Sequence, residues 1–549
     1  MSDEQKPEFA SAPQTGSAQN RIDRRRFFTG AAALTVGSLG ARGALAQVTS
    51  PPPTAAPATP SASALEQLEA QTRRALRWAG RDPADWVRPR AGVDHNLVIV
   101  GAGQSGVSLA YGFKRKGVGR VDLIDQADPG QAGIWRNIAR MRQLRTPKTL
   151  PGPEQGNVAI GFRAWFETLH GPEAFDALDR IPRLAWADYL TWFQQITDTK
   201  VRYRTRLLEI EPQGDLLRLH LETDGARRVE TTRKLVLANG YAGAGGPNVP
   251  GFIRALPANV WTHTTGRLPV ETWKGKVIGV VGAGSNAFDA AAVALEAGAA
   301  DVHLFSRRAY IDYQTSAPAG PPPQAAPPPD RGYPNMLELT YELPDVVRWR
   351  NFLAGERRVA SVPLDSLERA VAFRNFHIHL NTSLSDVAMA GNRISAKAGR
   401  KTLHFDYLIA ATGYRVDLAR QPELARIHEQ IARWGDRFKP APGEENEAGA
   451  AHPYLGAGFQ FLPRGDTGAE YLRNIHCYNL GAALSFGIPV GDVPSQVDEP
   501  RLVNAVARDL YVEGVDIEAH KRFTNAPQVA PSAAPYERAV VGGMKNAAA

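Results

Sequence analysis

The chain has 549 residues, 43% hydrophobic and 22% charged, which is room for two or three domains and ordinary for a globular protein. Its net charge of +8 is spread along the chain rather than gathered in one stripe, so no nucleic-acid partner is expected. A single cysteine, Cys477, excludes an internal disulfide, a cysteine metal cluster, covalent haem attachment and a catalytic dithiol; it is expected as a small buried hydrophobe, and no metal site is expected.

Residues 1–46 read as a targeting segment. Asp23-Arg24-Arg25-Arg26-Phe27-Phe28-Thr29 resembles a twin-arginine export signal, followed by a mildly apolar run from Gly30 to Ala41, by Arg42, and by Ala44-Leu45-Ala46 as a small-residue cleavage site. The run is too short to span a bilayer, which needs about 20 apolar residues, and no other segment reads as transmembrane. This predicts the twin-arginine machinery as a partner and a periplasmic location reached in the folded state. A chain without disulfides suits folding before export. Residues 47–64 are rich in Pro, Ala and Ser and predict a disordered tether. Residues 65–92 predict a helical segment, with the helix itself from Leu65 to Trp78.

Next comes a dinucleotide-binding pattern. Leu97-Val98-Ile99-Val100 reads as a buried strand, Gly101-Ala102-Gly103-Gln104-Ser105-Gly106 as a phosphate-binding turn, and Val107 to Lys116 as the helix behind it. Gly101 permits the tight turn, Gly103 the approach of a pyrophosphate, and Gly106 the packing of helix on strand. Asp125 ends the following strand, where its carboxylate can accept from a ribose diol.

The pattern recurs. Lys276 to Val281 leads into Gly282-Ala283-Gly284-Ser285-Asn286, a helix to Ala297 and a strand Asp301–Phe305. That strand ends in Ser306-Arg307-Arg308, whose hydroxyl and guanidiniums suit the 2′-phosphate of NADP better than a carboxylate would. Two such units predict an α/β chain with two Rossmann-like dinucleotide-binding domains, the second inserted in the first. Leu235–Gly240 and Asp406–Tyr414, the latter including Thr412 and Gly413, are read as the crossing points. The expected boundaries are 93–255 and 406–549 for the first domain and 256–405 for the insert. Ser316 to Asp330 is a Pro-rich loop, read as a surface excursion or a cover for the site. The Gly/Ala-rich run Asn479–Gly487 before Ile488-Pro489 reads equally as a backbone contact to a cofactor or as tight packing.

The order GAGQSG, Asp125, Gly133-Ile134-Trp135, ANG, PNVPGF, His263, GAGSNA and ATGY resembles the flavin-dependent monooxygenases with two dinucleotide domains: the flavin-containing, N-hydroxylating and Baeyer–Villiger branches. The likeness spans about residues 95–420. It implies FAD at Gly101, Gly103, Gln104, Ser105, Gly106 and Asp125, with Gly133 and Trp135 beside the flavin. It implies NADPH at Gly282, Gly284, Ser285, Asn286, Ser306, Arg307 and Arg308. It also places Arg145 and Lys148 where the family brings polar groups to the isoalloxazine ring, as candidate catalytic residues that stabilise charge on the flavin. Two features depart from the family. No Asn stands between 140 and 150, and the fingerprint ending at His263 has Pro257 and Asn259 in its Phe and Gly positions. The implied function is an NAD(P)H monooxygenase that transfers oxygen from O2 to a small molecule through a peroxyflavin. An NAD(P)H-dependent flavin reductase or dehydrogenase serving a quinone or other acceptor, and an exported flavoprotein acting as a binding or maturation factor, remain as alternatives.

Overall fold

A parallel strand covered on both faces needs a continuous apolar run, and His95–Val100 (β1) is one, with its four central residues buried. In this computed structural model the described residues are 61–149, 151–314, 339–357, 362–466, 468–487, 499–527 and 529–541. The expected export signal, most of the tether, the Pro-rich stretch 316–330 and Ile488-Pro489 lie outside them. The first described helix, α1, runs Ala62–Trp78 and is capped by Ser61, whose Oγ accepts from the Ala64 amide. It therefore begins inside the expected tether, before Leu65.

The first sheet is built round β1. It pairs in parallel with Val121–Ile124 (β2), and Gln104–Arg115 (α2) crosses between them. The helices Phe162–His170 (α3), Pro172–Asp176 (α4) and Arg183–Ile196 (α5) follow. Thr205–Gln213 (β3) and Leu216–Thr223 (β4) form an antiparallel hairpin that continues into Ala226–Gly240 (β5). β5 serves twice: residues 226–232 pair with β4, whereas 232–237 pair in parallel with β1. Its C-terminal part also accepts Ile475–Asn479, the last strand among the described residues, in parallel. One core fills both faces of this sheet.

After the short helix Gly251–Arg254 (α6), the second sheet takes over. It is all parallel, in the order β11-β8-β7-β15-β6: Phe376–His379, Asp301–Phe305, Val277–Val281, Tyr407–Ala410 and Trp261–His263. The helix Ser285–Glu296 (α7) packs on one face through Ala290, Ala291, Ala292 and Ala294, all fully buried, so it can lie close to the strands. Two short strands, Tyr313–Gln314 (β9) and Val362–Pro363 (β10), pair beside it, and Leu364–Val371 (α9) packs on α7; Asp345–Arg357 (α8) lies between them in sequence. The other face carries the antiparallel sheet Leu384–Ala390 (β12), Arg393–Ala398 (β13) and Lys401–Phe405 (β14). Tyr407–Ala410 lies between β7 and β6, hydrogen-bonded on both edges. The second sheet thus includes Tyr407–Ala410, just past the expected boundary at 405. Among the described residues no helix is long and apolar enough to cross a membrane.

Candidate functional site

Both glycine turns sit at the C-terminal ends of parallel strands, and both require glycine. Gly101 has φ +103°, and a Cβ there would lie 2.5 Å from the Ala238 carbonyl oxygen. A Cβ on Gly106 would lie 1.8 Å from the Gly101 oxygen, so helix α2 could not sit against the turn. Asp125 ties the next strand to this turn: its Oδ2 accepts from the Ala102 amide at 2.7 Å and its Oδ1 from Ala127 at 2.8 Å. A carboxylate has about four acceptor positions, so capacity remains for a ribose hydroxyl.

In front of this turn lies a cavity of about 790 Å³, within the range of about 300–1,000 Å³ usual for small-molecule sites. One end is walled by Asp125, Thr205 and Leu207, the middle by Gly103, Gln104, Ser105 and Gly133, and the far end by Trp135, Arg140, Arg145, Tyr241 and Tyr414. Gly133 has φ +75° and packs against the Gly103 Cα, which keeps both backbones thin at the waist. Ser105 Oγ is buried without a hydrogen-bond partner at the first turn of α2. An orphaned hydroxyl at a helix N-terminus, beside glycines that a Cβ would fill, fits a pyrophosphate. The residues present thus fit FAD.

The second turn repeats the geometry. Gly282 has φ +119°, and a Cβ there would lie 2.2 Å from the Ala411 oxygen. Nothing lies within 4 Å of a Cβ built on Gly284, and Ser285 opens the 12-residue helix α7. At the end of β8 Ser306 is buried, its Oγ accepting from the Arg308 amide at 3.2 Å, while Arg307 and Arg308 are exposed. Thr412 bonds the Asn248 carbonyl, and Gly413, at φ +78°, accepts from the Asn248 amide at 2.9 Å. Both belong to the crossing between the sheets, and neither lines the cavity.

The two candidate catalytic residues part company. Arg145 is on the cavity wall and reaches across to α7, donating from Nη2 to Asn286 Oδ1 at 2.7 Å and to Asp289 Oδ2 at 2.9 Å. Asn286, read from sequence as a nucleotide contact, is therefore the partner of Arg145. Lys148 points elsewhere: its Nζ donates to the carbonyls of Phe175 and Asp176, each at 2.9 Å, and it is absent from the cavity lining. Asn479–Phe486 also stays off the lining. Asn479 Nδ2 donates to Asn239 Oδ1 at 2.8 Å, and a Cβ on Gly481 would lie 3.0 Å from Cys477 Sγ, which is the geometry of tight packing. Burial pushes the Cys477 thiol up to about 12, so it stays protonated.

Other side chains stand at the far end. Arg140 donates to the carbonyls of Ile138, Thr264 and Gly266, each at 2.6 Å, which uses three of its five N–H groups on neutral partners. Burial lowers its pKa to about 10, so it remains charged at neutral pH. Asp289 is 2% exposed, held by Arg145 and by Ser366 Oγ at 2.8 Å. Its one signal in the sequence is its place as the lone acid in the Ala-rich start of α7. Tyr414 stands edge-on to Tyr241 at 5.3 Å and to His263 at 6.0 Å. Burial holds His263 at about 4, hence neutral, and pushes the Tyr414 hydroxyl up. Glu423, raised by burial, also lines the cavity and accepts from Asn239 Nδ2 at 3.1 Å.

A cavity lined by the first dinucleotide turn and by Asn286 and Asp289 of the helix behind the second, with an arginine bridging the two units, defines a flavoprotein that takes electrons from a nicotinamide. A family profile described as FAD-NAD(P)-binding matches residues 98–242, and one described as L-lysine 6-monooxygenase/L-ornithine 5-monooxygenase matches 175–318. An FAD-dependent urate hydroxylase of Xanthomonas campestris pv. campestris is 36% identical over 456 residues, covering 82% of this chain and 93% of that protein. Among solved structures, ornithine hydroxylase of Pseudomonas aeruginosa superposes with a TM-score of 0.56 at 18% identity, over 76% of this chain and 99% of that one. L-lysine 6-monooxygenase of Pseudomonas syringae gives 0.55 at 18% identity, over 77% and 100%. These structures share the fold. The chain belongs to the FAD- and NAD(P)-binding flavin monooxygenase family, and it is an FAD-dependent oxidoreductase of the monooxygenase kind.

Proposed function

We propose that the chain hydroxylates urate, or a purine anion of the same shape, at the expense of NADPH and O2. One oxygen atom enters the product and the other leaves as water, while NADPH becomes NADP+. The observation that carries this reading is the charge at the far end of the cavity. Arg140 is half-buried, protonated and bonded through its side chain to carbonyl oxygens alone, and Arg145 lines the same cavity. A planar anion gains both charge and the faces of Tyr241 and Tyr414 there. The relationship to a urate hydroxylase over most of its length supports the same choice.

In this reading Gly101, Gly103, Gln104, Ser105 and Gly106 would hold FAD, with Asp125 accepting from its ribose and Gly133 and Trp135 beside its ring. It supplies the redox chemistry when bound. NADPH lies on Gly282, Gly284 and Ser285, with its 2′-phosphate on Ser306, Arg307 and Arg308. The chain's own work is to hold the substrate anion by Arg140, to fix the two units in register through Arg145 and Asp289, and to exclude water with Trp135, Tyr241 and Tyr414. The test is NADPH oxidation followed together with urate loss and hydrogen peroxide release. Urate consumed in step with NADPH supports the reading. NADPH oxidised at an unchanged rate with peroxide as the product, whether urate is present or not, overturns it.

Export by the twin-arginine route is proposed on the sequence of residues 23–46. A folded, flavin-loaded protein should then appear in the periplasm, and replacing Arg24 and Arg25 by Lys should leave it in the cytoplasm. Equal cytoplasmic retention of both forms would refute this.

A further inference from the structure

Away from the cavity, the edge of the second sheet gathers four ligating side chains on one face. Asp301 and His303 alternate along β8, His377 and His379 along β11, and the register sets His377 opposite His303. In a strand, residues two apart share a face, so the four make a compact patch. One ligand atom each from Asp301, His303 and His377 lie within 4.8 Å of one another. His377 Nε2 is 3.1 Å from Asp301 Oδ1, and the rings of His303 and His377 stack at 4.7 Å.

We propose that Asp301, His303 and His377 bind a divalent transition-metal ion of the zinc type, with His379 as the group that orients His303. Two imidazoles and a carboxylate with an open fourth position are a zinc ligand set, and atoms sharing one such ion lie roughly 3.3 Å apart. The present spacing needs only small side-chain movements to reach that. His303 Nδ1 lies 2.9 Å from His379 Nε2; with His303 Nδ1–H as the donor, Nε2 of His303 is left for the ion. Phe305 stacks on His379 at 4.7 Å and Phe405 meets His303 edge-on at 5.8 Å, an apolar wall behind the ligands. The side chain of His377 is 43% exposed, which gives the ion a way in.

A second cluster shows what a filled place looks like. His95, Asp122 and Glu230 also converge, but the guanidinium of Arg202 bonds both carboxylates and occupies their centre of charge. At the β8–β11 patch, among the described residues, Asp301 forms no ion pair with Lys or Arg; its partner is His377. The ion would clip the edge strand β11 to β8, next to the turn at Ser306, whose amide donates to the His379 carbonyl at 2.9 Å.

The experiment is calorimetric titration of Zn2+ into the metal-stripped, flavin-loaded full chain carrying no histidine tag. One ion per chain is expected. His377→Gln, at an exposed position that leaves the fold and flavin content intact, should abolish it, and His379→Gln should weaken it by about tenfold or more. His95→Gln should change nothing. Absence of stoichiometric binding, or binding that persists unchanged in His377→Gln and Asp301→Asn, overturns the proposal. Because the readout is metal binding alone, failure here is distinct from failure of the urate reading.

Discussion

Breaking the link between Arg145 and Asp289 should slow flavin reduction by NADPH, and the two residues should act as one unit. Their contact is 2.9 Å, with Asp289 2% exposed and Arg145 32% exposed. At an effective dielectric constant of about 20, unit charges at that distance attract by about 6 kcal/mol. Desolvation of Asp289 and solvent screening at Arg145 offset most of this. The net contribution of a charged hydrogen bond of this kind is about 1.5–3 kcal/mol, or roughly 10- to 150-fold in a rate that depends on it. The dependence arises because Arg145 belongs to the wall of the flavin cavity whereas Asp289 belongs to α7, the helix of the nicotinamide turn. Loosening the pair moves hydride donor and acceptor out of line. The assay is anaerobic stopped-flow reduction of Arg145→Gln, Asp289→Asn and the double variant, each checked for full flavin content. Each single change should slow reduction by about tenfold or more, and the double should be no slower than the worse single. Two effects that multiply in the double variant would show that the residues act independently and refute the argument.

Three further outcomes follow from other parts of the molecule. Gly101→Ala adds a Cβ 2.5 Å from a backbone oxygen at φ +103°, so the purified protein should be flavin-free; a normal flavin content would sink the assignment of this turn. Arg307→Glu with Arg308→Glu should raise the KM for NADPH by about tenfold or more while leaving that for NADH nearly unchanged, and equal loss for both nucleotides would place the 2′-phosphate elsewhere. His452 and His476 are buried and held at about 4 by burial, below the ordinary value of about 6.5. The unfolded chain therefore binds more protons between these values, and stability present above pH ~6.5 is lost as the pH falls towards ~4. Melting temperatures across that window should fall for the parent and flatten in His476→Gln; identical slopes would refute the attribution.

What could be read in advance was whatever is local in the chain. Gly101, Gly106 and Gly282 answer to steric demands set within a strand–turn–helix unit, so residue type and spacing suffice. Asp125 follows from the same unit. The far end of the cavity follows a different rule. Arg145 and Asp289 are 144 residues apart, and Arg140 finds its carbonyl partners at Thr264 and Gly266, 124 and 126 residues on. No periodicity signals such pairs. The cluster at β8 and β11 escaped for the same reason, since His303–His379 and His377–Asp301 each span 76 residues. Lys148 shows the limit of spacing as a guide. It stands three residues from Arg145, but the chain turns between them and hands its ammonium to the carbonyls at the end of α4. Tyr407–Ala410 was read within a crossing point between the domains, and any short apolar strand ending in small residues reads alike. Its neighbours β7 and β6 decide where it goes.

The twofold use of β5 sets a timetable for biosynthesis. Its N-terminal half has its partner β4, itself paired with β3, already made when it leaves the ribosome, and its C-terminal half finds β1 waiting. The strand Ile475–Asn479 that completes the sheet arrives far later: Asn479 bonds to Asn239 across 240 residues. In between, the whole second sheet is synthesised and can close on its own strands, because its pairings all fall within residues 261–410. Assembly of the first sheet is then limited by a long-range pairing that forms last, the slow kind in terms of contact order. A nascent chain stalled before residue 475 would hold a finished nicotinamide unit beside an unfinished flavin unit, with the edge of β5 bare. Such fragments should be the aggregation-prone species of this protein, and flavin capture should follow the emergence of residues 475–479.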